Sequence, residues 1–293
     1  MGKFYVFVFM IIGLMFNPSK IFAGNGPFFV TYDHHPAEKG EVELMLMTDY
    51  AKSKVGGNYV AQMLEIEYGV TKKLTTELML EGQKTMGDTW VFTGWRWENR
   101  YRLFERELPV NPMIYVEWEN LNGATKYKME VSGFRDLQPV RNKEAKKEKE
   151  RILETKLILG KDFGPLTVAL NWINESDTRN KWETAFGYTL GARYSLSQAY
   201  SEKKENGDGD HNHHGKDGHS MTQWVVGAEM YGALGDTTNF GIKPNRQEHY
   251  FAPVLQFKKH LPNMMIHFHL SPAIGLTRAS DHFLIRTSIG VEW

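Results

Sequence analysis

Apolar and polar side chains alternate along most of this chain. Val42, Leu44 and Leu46 alternate with Glu41, Glu43 and Met45; Val60, Leu64, Ile66 and Tyr68 alternate with Met63, Glu65 and Glu67; Leu74, Leu78 and Leu80 alternate with Lys73, Thr75, Glu77 and Glu81. A period of two is that of a β-strand with one apolar and one wet face. The pattern recurs at 89–103, 111–120, 152–162, 165–175, 181–195, 222–233, 247–258, 264–276 and 282–293, which predicts twelve strands. In the last of them Phe283, Ile285, Thr287, Ile289, Val291 and Trp293 share one face, and Leu284, Arg286, Ser288, Gly290 and Glu292 share the other. Lys126 to Phe134 also alternates, with Tyr127, Met129 and Val131 opposite Lys128 and Glu130. A thirteenth strand would put the termini on opposite sides, against the even count of bacterial single-chain barrels. The segment is therefore assigned to a long loop, 121–150, as a hairpin arm above the rim.

Alternation does not say which face is outside, since a soluble sandwich or lipocalin-like barrel alternates too. The wet face here carries Glu65, Glu67, Glu77, Glu81, Arg96, Glu98, Arg100, Arg102, Glu117, Glu119, Lys156, Glu183, Arg193, Glu229, Arg286 and Glu292. A dry core could not hold so many charges. The front of the chain points the same way: Lys3, the apolar run Phe4 to Phe16, Pro18 and the small-residue site before Gly24 read as a signal peptide over 1–23. That run is shorter than the roughly 20 residues of a membrane helix. The prediction is an all-β, transmembrane, antiparallel up-and-down barrel over 41–293, in the outer membrane of a Gram-negative bacterium.

Short connections at Gly69–Lys72, Lys161–Pro165 and Lys259–Asn263 sort to one rim, and the longer ones at 51–58, 83–88, 121–150, 176–180 and 234–246 to the other. Periplasmic turns are short and extracellular loops long, so both termini are expected in the periplasm. Trp90, Trp118, Trp172, Trp182, Trp224 and Trp293, with Tyr50, Tyr68 and Tyr188, fit interfacial girdles. The expected surroundings are outer-membrane lipid and lipopolysaccharide. The terminal strand ending on Trp293 would engage the barrel-assembly machinery, and the barrel would be a monomer.

Charge and composition narrow the chemistry. The 35 basic and 35 acidic residues balance, and the chain has no cysteine. Nucleic acid is not an expected partner, and thiolate or disulfide chemistry is excluded. The lumen candidates are Arg96, Glu98, Arg100, Arg102, Glu117, Glu119 and Arg286, whose facing charges would either orient a polar solute or fill a closed interior with ion pairs. Segment 24–40 lacks clean alternation and holds Phe28, Phe29, Val30 and Tyr32 next to Asp33, His34 and His35. It is expected to fold into the lumen as a plug, the alternative being a loose periplasmic tail.

Two histidine groups stand out. His267 and His269 share the inward face of one strand about 6.6 Å apart, a spacing that could hold a transition metal with help from His34 or His35. The bland reading is that they bond neighbouring carboxylates. His211, His213, His214 and His219 lie in a Gly/Asp/His tract within an insertion at 201–220, between the segments at 181–195 and 222–233. Such tracts bind Zn, Ni or Cu through neutral imidazoles. This gives a rival reading, a periplasmic metal-binding or efflux-adaptor role, beside the leading one of passive transport. No cofactor is required by either. Ser271 and His269, two apart on one strand without a nucleophile elbow, do not suggest catalysis.

The segments G-P-F-F-V-T-Y-D-H-H, Y-G-V-T-K-K-L, V-N-P-M-I-Y-V-E-W-E and R-I-L-E-T-K-L-I-L-G-K-D-F-G-P-L give most of 24–293 a resemblance to outer-membrane proteins described as putative transporters of the phenol-degradation MetA pathway type. The resemblance implies a barrel and passive uptake of small molecules, hydrophobic ones included. It implies no catalytic residues, and the His-rich insertion departs from its pattern.

Overall fold

A computed structural model describes residues 26–54, 57–129, 131–135, 140–196 and 222–293. Its strands are β1 (Val42–Lys52), β2 (Tyr59–Gly69), β3 (Leu74–Thr85), β4 (Trp90–Arg102), β5 (Asn111–Asn122), β6 (Lys149–Phe163), β7 (Leu166–Asp177), β8 (Glu183–Ser195), β9 (Thr222–Asp236), β10 (His249–Leu261), β11 (Met264–Gly275) and β12 (Phe283–Glu292). Each pairs antiparallel with its sequence neighbours, and β12 pairs with β1 to close the barrel. Glu43 stands opposite Glu292 across this seam, and Asp49 opposite Arg286.

The alternation decides the faces. On β1, Glu43, Met45, Met47 and Asp49 are buried in the interior, while Leu44, Leu46 and Tyr50 are exposed outside. Leu64, Ile66, Leu78, Leu80, Leu170, Leu190, Phe268 and Ile289 continue this outer belt. A contiguous apolar exterior around a charged interior is stable only where hydrocarbon covers the outside. Every strand has 10 residues or more, enough to cross the core of a bilayer at a tilt. Closure pairs the strand edges, which a lipid environment demands.

Connections 70–73, 103–110, 164–165 and 262–263 lie on the rim where β1 begins and β12 ends, the periplasmic side. The longer connections on the opposite rim are extracellular. The His-rich tract would join the periplasmic ends of β8 and β9, but 197–221, with His211, His213, His214 and His219, lie outside the described residues, as does the signal segment.

The interior is occupied from both ends. Residues 26–41 enter from the periplasmic rim and reach the middle of the barrel at Phe29 and Val30, both buried. From the extracellular side the arm 123–135 comes down to meet them: Tyr127, Met129 and Val131 are buried in one cluster with Phe29, Val30, Met45, Met47, Met63 and Met79. The arm thus lies inside the barrel and not above its rim. The reason is packing, because three apolar side chains on one edge need cover, and the inward methionines of β1 to β3 need the same. Gly187 makes room, since a Cβ there would stand 2.3 Å from the Val131 carbonyl oxygen. A one-turn helix, α1 (Asn142–Ala145), then seals the arm's return against the β3–β4 hairpin, where buried Asn142 accepts from Gln83 Nε2 at 2.7 Å.

Candidate functional site in the lumen

Strands β2 to β6 build an acidic wall. Inward positions place Glu65 and Glu67 on β2, Glu77 and Glu81 on β3, Glu98 on β4, Glu117 and Glu119 on β5, and Glu154 on β6, all buried. Arg96, Arg100 and Lys156 are the buried cations set among them. Arg96 reaches Glu81 at 3.3 Å through Nε, and Glu117 and Glu119 at 3.1 Å each through Nη1. Arg100 reaches Glu98 at 2.7 Å and Glu77 at 3.2 Å, and also contacts Glu67. Lys156 pairs with Glu154 at 2.7 Å and lies 4.1 Å from the centre of the Tyr115 ring. Eight carboxyl groups against three cations make this wall acidic. Arg102 departs from the lumen set: at the end of β4 it is half-buried and pairs with Glu107 at 2.6 Å on the periplasmic rim. Glu183 departs further, lying exposed at the extracellular end of β8 beyond the register shift at Phe186/Gly187.

The plug is held to the wall by polar contacts. The Glu229 carboxylate accepts the backbone N–H groups of Phe29, Val30 and Thr31 at 3.1, 3.1 and 3.0 Å. Asn171 takes the N–H of Tyr32 at 2.7 Å and donates to its carbonyl at 2.8 Å. The Tyr32 hydroxyl donates to Glu98 at 2.8 Å. Lower down, Asp33 accepts from Arg193 Nε at 3.0 Å, and the His35 ring lies between Asp33 and Asp162, 3.0 Å from each. Burial alone would raise the Asp33 carboxyl, but Arg193 and His35 hold it well below the usual range. Burial alone would likewise lower His35, yet the two carboxylates push it up to about 9.

The arm has its own ties. Arg135 Nη1 donates to the Ala279 carbonyl at 2.8 Å and to Asp281 at 2.9 Å, and contacts Glu248. Lys128 also contacts Glu248. Burial would raise Asp281, but Lys128 and Arg135 hold it below its ordinary value.

Arg286 is where seam, plug and arm meet. Its Nε donates to Asp49 at 3.0 Å, Nη2 donates to the Lys128 carbonyl, and its guanidinium lies 5.6 Å from the Phe29 ring centre and 5.3 Å from that of Tyr127. Beside these contacts a small cavity is lined by Phe29, Val30, Met45, Met47, Glu65, Glu77, Arg100, Met129 and His269. A second, wider one opens at the periplasmic mouth between His35, Pro36, Ala37, Glu38, Lys39, Lys72 and Arg102.

The two lumen histidine pairs stand against different parts of the wall and do not form one site. His267 Nε2 lies 3.0 Å from Glu43, His267 Nδ1 lies 3.1 Å from His269 Nε2, and Gln256 lies 2.7 Å from the same His269 nitrogen. A carboxylate is therefore beside them, supplied across the seam by β1, which the spacing on β11 alone could not reveal. His34 and His35 instead meet Asp162 at the end of β6. The Ser271 hydroxyl is buried without a hydrogen bond, so Ser271 and His269 do not form a nucleophile–base pair here. Glu229, Asn171 and Asp162 were missed as plug-binding residues; Glu229 and Asn171 stand out only as polar groups on otherwise small-residue or apolar inner faces.

A closed twelve-stranded barrel with an apolar belt and a charged lumen is a Gram-negative outer-membrane β-barrel. No family model matches the chain, and no curated protein matches it. Among solved structures it is similar to the CymD monoaromatic hydrocarbon channel, at 11% identity over 87% of this chain and 88% of that one, with a TM-score of 0.36. It is similar also to OmpT, an outer membrane protein of Vibrio cholerae (9% identity, 86% and 95% covered, TM-score 0.33). A third is Pseudomonas aeruginosa OprD (11% identity, 87% and 66% covered, TM-score 0.34).

Proposed function

We propose that this barrel is a passive channel for small solutes, shut at rest by the plug and the arm, with an acidic wall that favours cations and neutral polar molecules over anions. One observation carries the reading: the wall behind the plug is ionic, with Glu65, Glu77, Glu98 and Arg100 beside it, and the plug is tied to the barrel by side-chain contacts without strand pairing. A barrel that needed only a filled interior could use large apolar side chains, as small barrels do. A wall of paired charges stays stable when water replaces the plug. Eight acids against three bases would then exclude anions by repulsion and concentrate cations.

The absence of cysteine allows a direct test. A Cβ added at Gly191 would stand 3.0 Å from Thr31 Cγ2 and 2.8 Å from Phe28 Cζ; the first is close to the about 3.0 Å between one Cβ and the far sulfur of a disulfide, and the second requires the tip of the Phe28 ring to shift. The pair Thr31→Cys with Gly191→Cys should lock the plug on oxidation. In planar bilayers the oxidised protein is expected to stay silent, and reduction should restore cation-selective openings; equal conductance in both states would refute a plug gate.

The second reading, a periplasmic metal-binding or adaptor role for the tract containing His211, His213, His214 and His219, is favoured by its roots. Ser195 ends β8 and Thr222 begins β9 on the rim taken as periplasmic, where a tight turn would suffice to join them. It is compatible with a channel; calorimetry should show fewer Zn(II) equivalents bound after deletion of 206–220, and equal binding by both proteins would refute it.

A further inference from the structure

We propose that His34, His35 and Asp162 form a site for a divalent transition metal of the zinc class, which fastens the plug to the barrel wall at the periplasmic mouth. His34 Nε2 lies 3.4 Å and His35 Nε2 3.0 Å from the same oxygen, Asp162 Oδ2. Tetrahedral ligands at the usual zinc distances stand about 3.3 Å from one another, which these two N···O separations match to a few tenths of an ångström, and the three ligand atoms all lie within 4.8 Å of one another. Two imidazoles and a carboxylate are a common donor set for this class of ion, leaving a fourth position for water or a further carboxylate. Glu107 Oε2, 3.9 Å from His34 Nε2, is placed to supply it.

The His34 side chain itself points to a ligand. It is fully buried, its Nδ1 makes no hydrogen bond, and its Nε2 faces Asp162 and Glu107 at the long distances of 3.4 and 3.9 Å. The chain makes space for it in an unusual way: a Cβ on Gly160 would stand 2.4 Å from His34 Nδ1, so any other residue at 160 would expel the ring. A buried imidazole held this loosely through Nε2 is costly unless something binds that nitrogen more closely.

The surrounding groups fit the same role. Asp33 Oδ1 lies 3.0 Å from His35 Nδ1, the carboxylate–histidine arrangement that fixes a ligand's tautomer and aims Nε2 at the metal. Thr167 donates to Asp162 Oδ1 at 2.6 Å, holding that carboxylate with Oδ2 toward the histidines. Arg193, the nearby cation, sits on the other side of the His35 ring, 3.3 Å from Nδ1. The ion would enter through the mouth cavity, which His35 lines.

The consequence rests on the channel reading: His34 and His35 belong to the plug and Asp162 to β6, so bound metal would stabilise the closed state. The site itself can be tested independently. Protein lacking only 206–220 is refolded in detergent, its fold checked by heat-modifiable gel mobility, and titrated with Zn(II) against a chromogenic chelator and with Co(II) by visible absorption. One equivalent is expected, with affinity lowered about 100-fold in His34→Gln and Asp162→Asn, and about 10-fold in Asp33→Asn, as for other ligand and outer-shell losses. Folded protein that takes up no zinc, or variants that bind as the parent does, would overturn the site. If zinc binds as expected but never lowers conductance, the site stands and the gating consequence falls.

Discussion

Replacing Arg286 with alanine is expected to destabilise the barrel and free both inserted segments together. The change leaves Asp49 buried without its cation, a loss of about 3–5 kcal/mol for a broken buried pair. It also removes the donor to the Lys128 carbonyl and the cation between Phe29 and Tyr127. Lysine at 286 could restore the charge opposite Asp49 but not the forked geometry that reaches the arm at the same time. Urea unfolding of the refolded protein should therefore rank wild type above Arg286→Lys and that above Arg286→Ala. Openings in planar bilayers should rise in the reverse order. Identical unfolding midpoints for all three would show that Arg286 joins nothing.

The second large effect is expected at Glu229. Its carboxylate accepts three consecutive backbone N–H groups of the plug, and hydrogen bonds to a charged group contribute about 1.5–3 kcal/mol each. Glutamine keeps one acceptor oxygen and turns the other position into a donor facing N–H groups, so at least one bond is lost. The plug should then leave the wall about 10- to 100-fold more often, a factor of ten for each 1.4 kcal/mol. The readout is the labelling rate of Thr31→Cys by a membrane-impermeant maleimide added from the periplasmic face. Glu229→Gln should accelerate it, and Glu229→Ala should do so further. A rate unchanged from the Thr31→Cys parent would mean that Glu229 does not hold the plug.

The barrel was readable from the chain because alternation is local. Each strand declared two faces, and the twelve predicted strands match the twelve observed, with boundaries differing by a few residues at most. The path of 126–134 was not readable, since Tyr127, Met129 and Val131 would alternate equally in a strand, an arm above the rim or an arm within the lumen. A clue lay on the other partner: Met45, Met47, Met63 and Met79 are apolar residues on wet faces, and such residues mark where another segment provides cover. The lumen charges were visible as a set, but their pairing was not, because it depends on register between strands far apart in sequence. The meeting of His34 and His35 with Asp162 likewise joins a plug to a strand end more than 120 residues away. Arg102 and Glu183 share the parity of lumen residues yet lie at rims, which shows that parity assigns a face and not a depth.

The central claim is that an ionic, water-compatible passage lies behind the plug and arm. The most direct measurement is single-channel conductance, with reversal potential in asymmetric KCl, of refolded protein lacking 26–35 and carrying Gly/Ser in place of 125–133. The account predicts stable, cation-selective conductance in this variant and rare openings in the wild type. A variant that folds as a barrel but passes no ions, or passes chloride as readily as potassium, would contradict it.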